Sequence, residues 1–269
     1  MKFKTRTIEK PWGSKSLPAI FDHIKGDQIG EIWFEAPVHS EQSSQPLMIK
    51  YLFTSEKLSI QVHPCNEDAL ARNMPCGKDE CWYILDAEPD ATLGIGLKES
   101  ISKDHLREAA LSGEIEQLMD WKPVKKGDFF YIPAGTIHAI GPGVTLIEVQ
   151  QNIDLTYRLY DYGRPRELHL DDAVAVANPA PYSMDFFQKT PTSGYCSLVD
   201  GPYFNLVRVD GNIAELLKGL SKKPYYVVPL SGAVTSVNYE LSVGECCQCN
   251  SLEDLQFSDD AQLLLASAV

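Results

Sequence analysis

Positive charge is scarce in this sequence: 24 lysines and arginines stand against 37 aspartates and glutamates among 269 residues, giving a net charge of −13. Nucleic acids and anionic membranes are therefore unfavourable partners, because both attract basic surfaces. There is no apolar run of about 18 residues, which a membrane span would need. The basic first residues are followed by no apolar segment, so we expect no secretory signal and a cytoplasmic protein. An anionic small substrate would need a locally positive pocket.

Cysteine and histidine are also few. The seven cysteines are an odd number, which with no expected signal peptide favours reduced thiols over a disulfide framework. The group Cys246-Cys247-x-Cys249 lacks a second paired motif, so we interpret it as structural rather than metal-binding. Only six histidines occur, and none follows His169. Any site that needs imidazole must therefore lie in the first two thirds of the chain.

Short apolar or alternating segments separated by Gly, Pro, Asn and Asp make up most of the chain, a pattern typical of a β-sandwich or barrel. The predicted strands are Ile29–Phe34, Met48–Phe53, Leu58–His63, Glu80–Leu85, Thr92–Leu97, Asp128–Ile132, Val144–Gln150, Phe204–Val209, Tyr225–Leu230, Ala233–Tyr239 and Leu263–Ser267. Helices are predicted near residues 67–73 and 170–178, and in an insert that begins at Ser102 and continues through 115–119. The sequence predicts a mainly β fold.

The most informative segment runs from Gly127 to His138. A glycine turn precedes an apolar strand, and Pro133 and Gly135 then impose a tight bend that ends at His138. A strand that ends in Pro-x-Gly holds the following imidazole rigidly. The spacing resembles the second motif of the cupin superfamily, in which the corresponding histidine binds a metal.

Two further segments offer ligands. Strict alternation in Leu58–His63 directs Ser59, Gln61 and His63 to one face, and Lys78 and Glu80 share a side at the start of the next apolar strand. Taken alone, the polar residues of either strand could equally well face solvent. Together the candidate ligands provide an amide oxygen, two imidazoles and one carboxylate, a set that favours zinc: Gln61, His63, Glu80 and His138.

Six motifs follow one another over about residues 11–164: Pro11-Trp12-Gly13, Gly30-Glu31-x-Trp33, Gln61-Val-His63-Pro, Gly77-Lys78-x-Glu80-Cys-Trp-Tyr, Pro133-Ala-Gly-Thr-Ile-His138 and Thr156-Tyr-Arg158-Leu-Tyr-Asp-Tyr-Gly163-Arg164. They resemble the motifs of type I mannose-6-phosphate isomerases, in their short bacterial form. The resemblance implies two cupin-type jelly-roll barrels and one zinc ion per chain on the four candidate ligands. It also implies a catalytic role for Arg158 and a sugar-phosphate pocket formed by Ser59, Lys78 and Arg164.

The residues agree with these implied roles. Arg158 and Arg164 lie six positions apart in a curved segment, and guanidinium groups suit phosphate. Glu148 shares a strand face with Leu146 and Gln150, so it can point inward, as a pocket carboxylate of the family does. The catalytic base stays open among Glu148, Lys78 and a water molecule on the metal. Manganese and iron remain alternatives to zinc.

The resemblance implies interconversion of mannose 6-phosphate and fructose 6-phosphate. The alternatives are another metal-dependent cupin enzyme, either an isomerase of a different sugar phosphate or an oxygenase, and a non-catalytic sugar-binding cupin. We expect residues 1–190 to form the metal-binding cupin domain, with a helical insert at 101–119, and residues 195–269 a degenerate second cupin. The expected partner is a small hexose phosphate, and the expected state is a monomer or homodimer.

Overall fold

The computed structural model describes residues 1–37, 45–191, 193–210, 215 and 224–269. About 45% of the protein is strand and 14% is helix, which confirms the mainly β prediction. The strands of the described residues are, in chain order, β1 (Lys4–Ser14), β2 (Ile29–Glu35), β3 (Leu47–Phe53), β4 (Ile60–Val62), β5 (Glu80–Ala87), β6 (Thr92–Leu97), β7 (Met119–Pro123), β8 (Asp128–Ile132), β9 (His138–Ile140), β10 (Val144–Gln151), β11 (Tyr157–Tyr160), β12 (Phe187–Lys189), β13 (Gly194–Asp200), β14 (Phe204–Asp210), β15 (Tyr225–Ser231), β16 (Val234–Thr235), β17 (Glu240–Leu241), β18 (Cys247–Cys249), β19 (Gln256–Phe257) and β20 (Gln262–Ala268).

The helices of the described residues are short: α1 (Asn66–Leu70), α2 (Lys103–Ser112), α3 (Ile115–Leu118) and α4 (Leu170–Val176). The Ser102 hydroxyl caps α2 by accepting a hydrogen bond from the His105 amide at 3.1 Å. Gly113 then ends α2 in the left-handed region, with φ of 82°. The helical insert predicted from Ser102 through 115–119 therefore consists of two helices, because the chain turns at this glycine and restarts as α3. None of these helices has the length and apolarity to cross a membrane.

The strands form four antiparallel sheets. In spatial order, a seven-stranded sheet contains β1-β2-β3-β10-β5-β8-β12, and a five-stranded sheet contains β11-β4-β9-β6-β7. The C-terminal part adds a five-stranded sheet, β13-β14-β20-β15-β18, and a three-stranded sheet, β17-β16-β19. Neighbours distant in sequence, such as β10 beside both β3 and β5, show that long connections cross between sheets.

The sheets and helices stack in layers separated by four apolar cores. Helices α2 and α4 cover the outer face of the β4-containing sheet, where Leu106 and Ala173 pack near Val62. The next core lies inside the first barrel, between that sheet and the seven-stranded one, and includes Trp82 and Ile95. Two more cores follow, one between the seven-stranded and C-terminal sheets and one inside the C-terminal unit.

Both faces of the seven-stranded sheet are therefore buried. On β10, Ile147 and Val149 pack toward the C-terminal unit, whereas Leu146 packs inside the first barrel. By alternation Glu148 must face the barrel interior as well. A buried polar side chain on this inner face needs a partner there, because water does not reach it freely. The predicted domain limits, residues 1–190 and 195–269, stay a prediction.

Candidate active site

Three side chains predicted to bind metal converge inside the first barrel. The ligand atoms of His63, Glu80 and His138 all lie within 4.8 Å of one another, and the three residues are buried. His63 Nε2 is 3.4 Å from one carboxylate oxygen of Glu80, and His138 Nε2 is 3.5 Å from the other. Side chains 17 to 75 positions apart in the sequence are thus gathered around one point.

The backbone around the Pro-x-Gly bend explains how His138 reaches this point. Gly135 has φ of 85°, which an L-residue adopts only with strain, and its amide donates to the His63 carbonyl at 2.8 Å. Gln61 on β4 is the strand partner of His138 on β9. The bend at Gly135 and the pairing of β4 with β9 therefore bring Gln61, His63 and His138 together.

Hydrogen bonds fix the His138 ring in a form suited to metal binding. Its Nδ1 donates to the Thr136 carbonyl at 2.8 Å, which leaves the lone pair of Nε2 directed at the cluster. Burial lowers the pKa of His138, although the Glu80 carboxylate opposes this effect. Burial, followed by the Lys78 ammonium, lowers the pKa of His63 to about 3. Both imidazoles are therefore neutral near pH 7, the state that binds metals.

The donor set fits a divalent ion. Zinc bonds of about 2.0–2.2 Å in a tetrahedron place ligand atoms roughly 3.3–3.6 Å apart, close to the separations between Glu80 and the two imidazoles. Glu80 Oε1 is buried and has no hydrogen-bond partner among the described residues. The Gln61 amide nitrogen lies 3.2 Å from His138 Nε2, while its oxygen accepts from Ser59. Rotating this amide by half a turn would present its oxygen to an ion.

Lys78 and Glu148 lie directly beside this cluster. The Lys78 ammonium donates to Glu80, lies 3.1 Å from His63 Nε2 and is 3.3 Å from Glu148 Oε1. The Trp82 indole donates to the other Glu148 oxygen at 3.2 Å. Burial and the nearby Glu80 carboxylate raise the pKa of Glu148 above its usual value, against the opposing effect of Lys50 and Lys78. Such a carboxyl group is suited to accept and return protons.

A second buried ion pair, which the sequence analysis missed, supports Glu148. Lys50 on β3 stands directly opposite Glu148 on β10, and their charged atoms are 3.0 Å apart. Lys50 also lies 3.7 Å from Glu31, which accepts a hydrogen bond from the Trp33 indole. The only sign in the sequence was a lone lysine within the apolar strand Met48–Phe53. Because that strand is buried on both faces, its residues do not alternate, and the sequence does not show which face the lysine is on.

Gln61, Lys78 and Glu148 line a cavity of about 310 Å³, at the lower end of the range for small-molecule sites. Five basic and three acidic side chains are among its lining residues: Lys10, Lys50, Lys78, Arg158 and Arg166, with Glu31, Glu148 and Asp154. The cavity is thus locally positive although the chain carries a net charge of −13. This is the property that an anionic substrate requires.

Of the other predicted site residues, Ser59 and Arg158 line the cavity. Arg158 on β11 is the strand partner of Gln61, which places it next to the candidate metal ligands. Arg164 is absent from the described lining: it donates to the Lys57 carbonyl at 2.7 Å and pairs with Asp161. Sequence reasoning missed His169, which lines the cavity and whose ring accepts from the Arg158 amide. It also missed Arg166, for which no sequence pattern gave a signal.

Comparison with known proteins agrees with this geometry. The chain is 35% identical over 246 residues to a mannose-6-phosphate isomerase of Streptococcus mutans, an alignment that covers 84% of this chain and 75% of that protein. This chain belongs to the mannose-6-phosphate isomerase family. Mannose-6-phosphate isomerase ManA of Bacillus subtilis is 43% identical over 163 residues, 56% of this chain and 51% of ManA. No protein-family model matches the chain.

Solved structures of mannose-6-phosphate isomerases share the fold over nearly the whole chain. The mannose 6-phosphate isomerase of Bacillus subtilis superposes with a TM-score of 0.80 at 25% identity, covering 99% of this chain and 98% of that one. A mutant phosphomannose isomerase of Salmonella typhimurium superposes with a TM-score of 0.73 at 14% identity, covering 99% of both chains. The Salmonella protein and this chain share a fold despite their low sequence identity. The predicted cupin-type β fold is confirmed.

Proposed function

We propose that this chain interconverts mannose 6-phosphate and fructose 6-phosphate, using one divalent metal ion, with zinc preferred. The observation that supports this most strongly is the convergence of His63, Glu80 and His138 beside a positively charged cavity, in a chain of the mannose-6-phosphate isomerase family. Gln61 and Lys78, which contact this cluster, line the cavity. The free thiols of all seven cysteines favour a reducing compartment, so the proposal includes a cytoplasmic location.

The metal would be held by Gln61, His63, Glu80 and His138. When bound, a divalent ion supplies a Lewis acid for the sugar oxygens near C1 and C2. The protein contributes the rigidity of this ligand set. The Thr136 carbonyl fixes the His138 ring, and the closely paired β4 and β9 hold Gln61 against it. Preorganised ligands of this kind lose little freedom when they bind.

Glu148 is the proposed carrier of the proton that moves between C2 and C1. It lines the cavity, it is 3% exposed, and burial with the nearby Glu80 raises its pKa. Lys50, Lys78 and the Trp82 indole hold its two oxygens, so the carboxylate is oriented before the sugar arrives. Lys78 is the second candidate for this role, because its ammonium lies between the ligands and Glu148.

Arg158 is proposed to stabilise the negative charge that develops on the sugar oxygens, because it stands opposite Gln61 and keeps its charge at all relevant pH values. Its Nε is buried and has no hydrogen-bond partner among the described residues, so it is available to the substrate. Ser59 and Lys78 would contact the sugar phosphate. The sequence-based assignment of Arg164 to this pocket remains a prediction.

A coupled isomerase assay with several hexose 6-phosphates, run on protein of measured metal content, tests the proposal. We expect turnover of mannose 6-phosphate, loss of turnover after chelation and recovery on adding zinc. Glu80→Gln should lose both metal and activity. Glu148→Gln should keep its metal and lose about 10²–10⁴-fold in kcat, the range typical of a missing general base.

Three outcomes would count against this account. Full turnover by protein shown to be free of metal would remove the role of the ligand set. Metal-replete protein that binds hexose phosphates without isomerising them would favour a sugar-binding cupin. A Glu148→Gln variant with nearly normal kcat would show that Lys78 or another group carries the proton, and it would leave the assignment of the metal ligands unchanged.

A further inference from the structure

Arg164 and Arg166 lie in the segment that follows β11. Both bind the Asp161 carboxylate, but the other nitrogens of their guanidinium groups have different neighbours. Asp161 is 2% exposed and accepts hydrogen bonds from Arg164 and Arg166. The Arg164 guanidinium also donates to the Lys57 carbonyl at 2.7 Å, lies 3.7 Å from Glu56, and covers the Tyr162 ring at 5.4 Å. Its contacts are thus directed at the barrel wall rather than at the cavity.

Arg166 differs from Arg164 in where its remaining donors lie. Its Nε and Nη2 form a double hydrogen bond with the two Asp161 oxygens, at 2.6 and 2.7 Å. Its Nη1 has no hydrogen-bond partner among the described residues, and Arg166 is one of the residues that line the cavity. Asp161 therefore fixes the guanidinium plane and leaves one edge free for a ligand. Such a preorganised fork is well shaped for a phosphate group.

Arg158 provides the second positive charge. Arg158 and Arg166 line the same cavity, and burial, followed by the charge of Arg166, lowers the pKa of Arg158. Asp161, and after it Asp154, which also lines the cavity, partly offset the effect of Arg166 on this pKa. An anion bound between the two arginines would relieve the remaining repulsion.

We infer that Arg166, oriented by Asp161, binds the phosphate group of the substrate, and that Arg164 instead serves to hold the segment against the barrel. The inference rests on the proposed function for the identity of the substrate as a phosphate monoester. The anion subsite lies on the Arg158 side of the cavity, so the sugar carbons extend from it toward Gln61 and the metal ligands. In this arrangement phosphate binding and proton transfer use different side chains.

Binding of inorganic phosphate and of mannose 6-phosphate by calorimetry, without turnover, tests the inference in wild-type protein and in Arg166→Gln and Arg164→Gln. A charged hydrogen bond contributes about 1.5–3 kcal/mol, which corresponds to roughly 10–150-fold in affinity. We expect Arg166→Gln to weaken binding of both ligands by at least 10-fold, and Arg164→Gln to change it less than threefold. Arg72→Gln, which removes an arginine from a different aspartate, Asp172, is the control for loss of an ion pair.

Arg166→Lys keeps the charge and serves if Arg166→Gln fails to fold; we expect it to weaken phosphate binding three- to tenfold. Steady-state kinetics should show the loss in KM, with kcat within a fewfold of wild type. Unchanged phosphate affinity in folded Arg166→Gln or Arg166→Lys would overturn the inference, as would a larger loss in Arg164→Gln. Absence of isomerase activity in wild-type protein would refute the proposed function instead, because phosphate binding is measured independently of turnover.

Discussion

Replacing Lys50 by methionine removes the cation that two buried carboxylates share. Lys50 is 6% exposed, and its ammonium lies 3.0 Å from Glu148 and 3.7 Å from Glu31. Burial alone would lower the pKa of Lys50, but Glu148 and Glu31 outweigh it and raise this pKa above the ordinary value. The ammonium is therefore charged in the folded protein, and its removal leaves negative charge without compensation.

Removing one member of a buried ion pair costs about 3–5 kcal/mol. We expect Lys50→Met to lower the free energy of unfolding by this amount at pH 8, measured by urea denaturation. Lys10→Met is the matched control, because Lys10 also pairs with Glu31, at 3.4 Å, but its side chain is 27% exposed. A pair this accessible to water contributes about 0–1 kcal/mol.

The loss should depend on pH in a defined direction. In Lys50→Met the pKa of Glu148, already raised by burial and by Glu80, rises further because an opposing cation is gone. Between the unfolded pKa of a glutamate, about 4.3, and this raised value, the folded state binds more protons than the unfolded one. Stability therefore falls as pH rises through that window, so the deficit of the variant should be smaller at pH 5 than at pH 8.

The double variant Lys50→Met/Glu31→Gln checks the electrostatic origin of the effect. It removes one cation and one of its two carboxylates together, so it should regain part of the stability lost in Lys50→Met. The reasoning is refuted if Lys50→Met is within about 1 kcal/mol of wild type at pH 8, or if Lys10→Met is equally damaging. A deficit that does not change between pH 5 and pH 8 would contradict the role given to Glu148.

Two further variants test how the site is supported. Arg208 is 4% exposed, pairs with Asp210 at 3.2 Å and donates to the Tyr83 hydroxyl of the first barrel at 3.2 Å. Arg208→Met removes one member of a buried ion pair and should cost about 3–5 kcal/mol in urea denaturation, whereas Tyr83→Phe should cost only about 0.5–1.5 kcal/mol. Equal losses would contradict this. Gly135→Ala places a Cβ 3.2 Å from the Val176 carbonyl at φ of 85°, so we expect about 1 kcal/mol or more of destabilisation and weaker zinc binding, measured by competition with a chelator. Normal zinc affinity would show that the bend does not position His138.

Segments bounded by turn residues were predicted well from the sequence. Strands Thr92–Leu97 and Asp128–Ile132 have their predicted bounds, and Gly127 and Pro133 directly flank the second. Strand β1 was missed: its Lys4–Ser14 sequence is rich in charge, as suits an exposed edge strand that pairs only with β2 among the described strands. The segment predicted as Ala233–Tyr239 contains only the two-residue strand Val234–Thr235.

The same reasoning explains which site residues could be predicted. Ser59, Gln61 and His63 could be predicted because polar and apolar residues alternate along their strand, with the apolar residues on the other face. Lys50 was not, since its strand packs on both sides and gives no period. Arg164 and Arg166 lie in a segment without a repeating pattern, so spacing alone could not show which of them turns toward the cavity.

The charges inside the first barrel suggest why so many ionic groups are buried there. Three ammonium groups and three carboxylates form a connected set that is neutral as a whole: Lys10, Lys50, Lys78, Glu31, Glu80 and Glu148. A divalent cation would bring this set to +2, and a phosphate monoester near pH 7 carries almost the opposite charge. Metal and phosphate together would therefore add little net charge to the site, and losing either ligand would leave the charge of the other without compensation. Binding of metal and of phosphorylated substrate should consequently reinforce each other, and an uncharged hexose would forgo this gain.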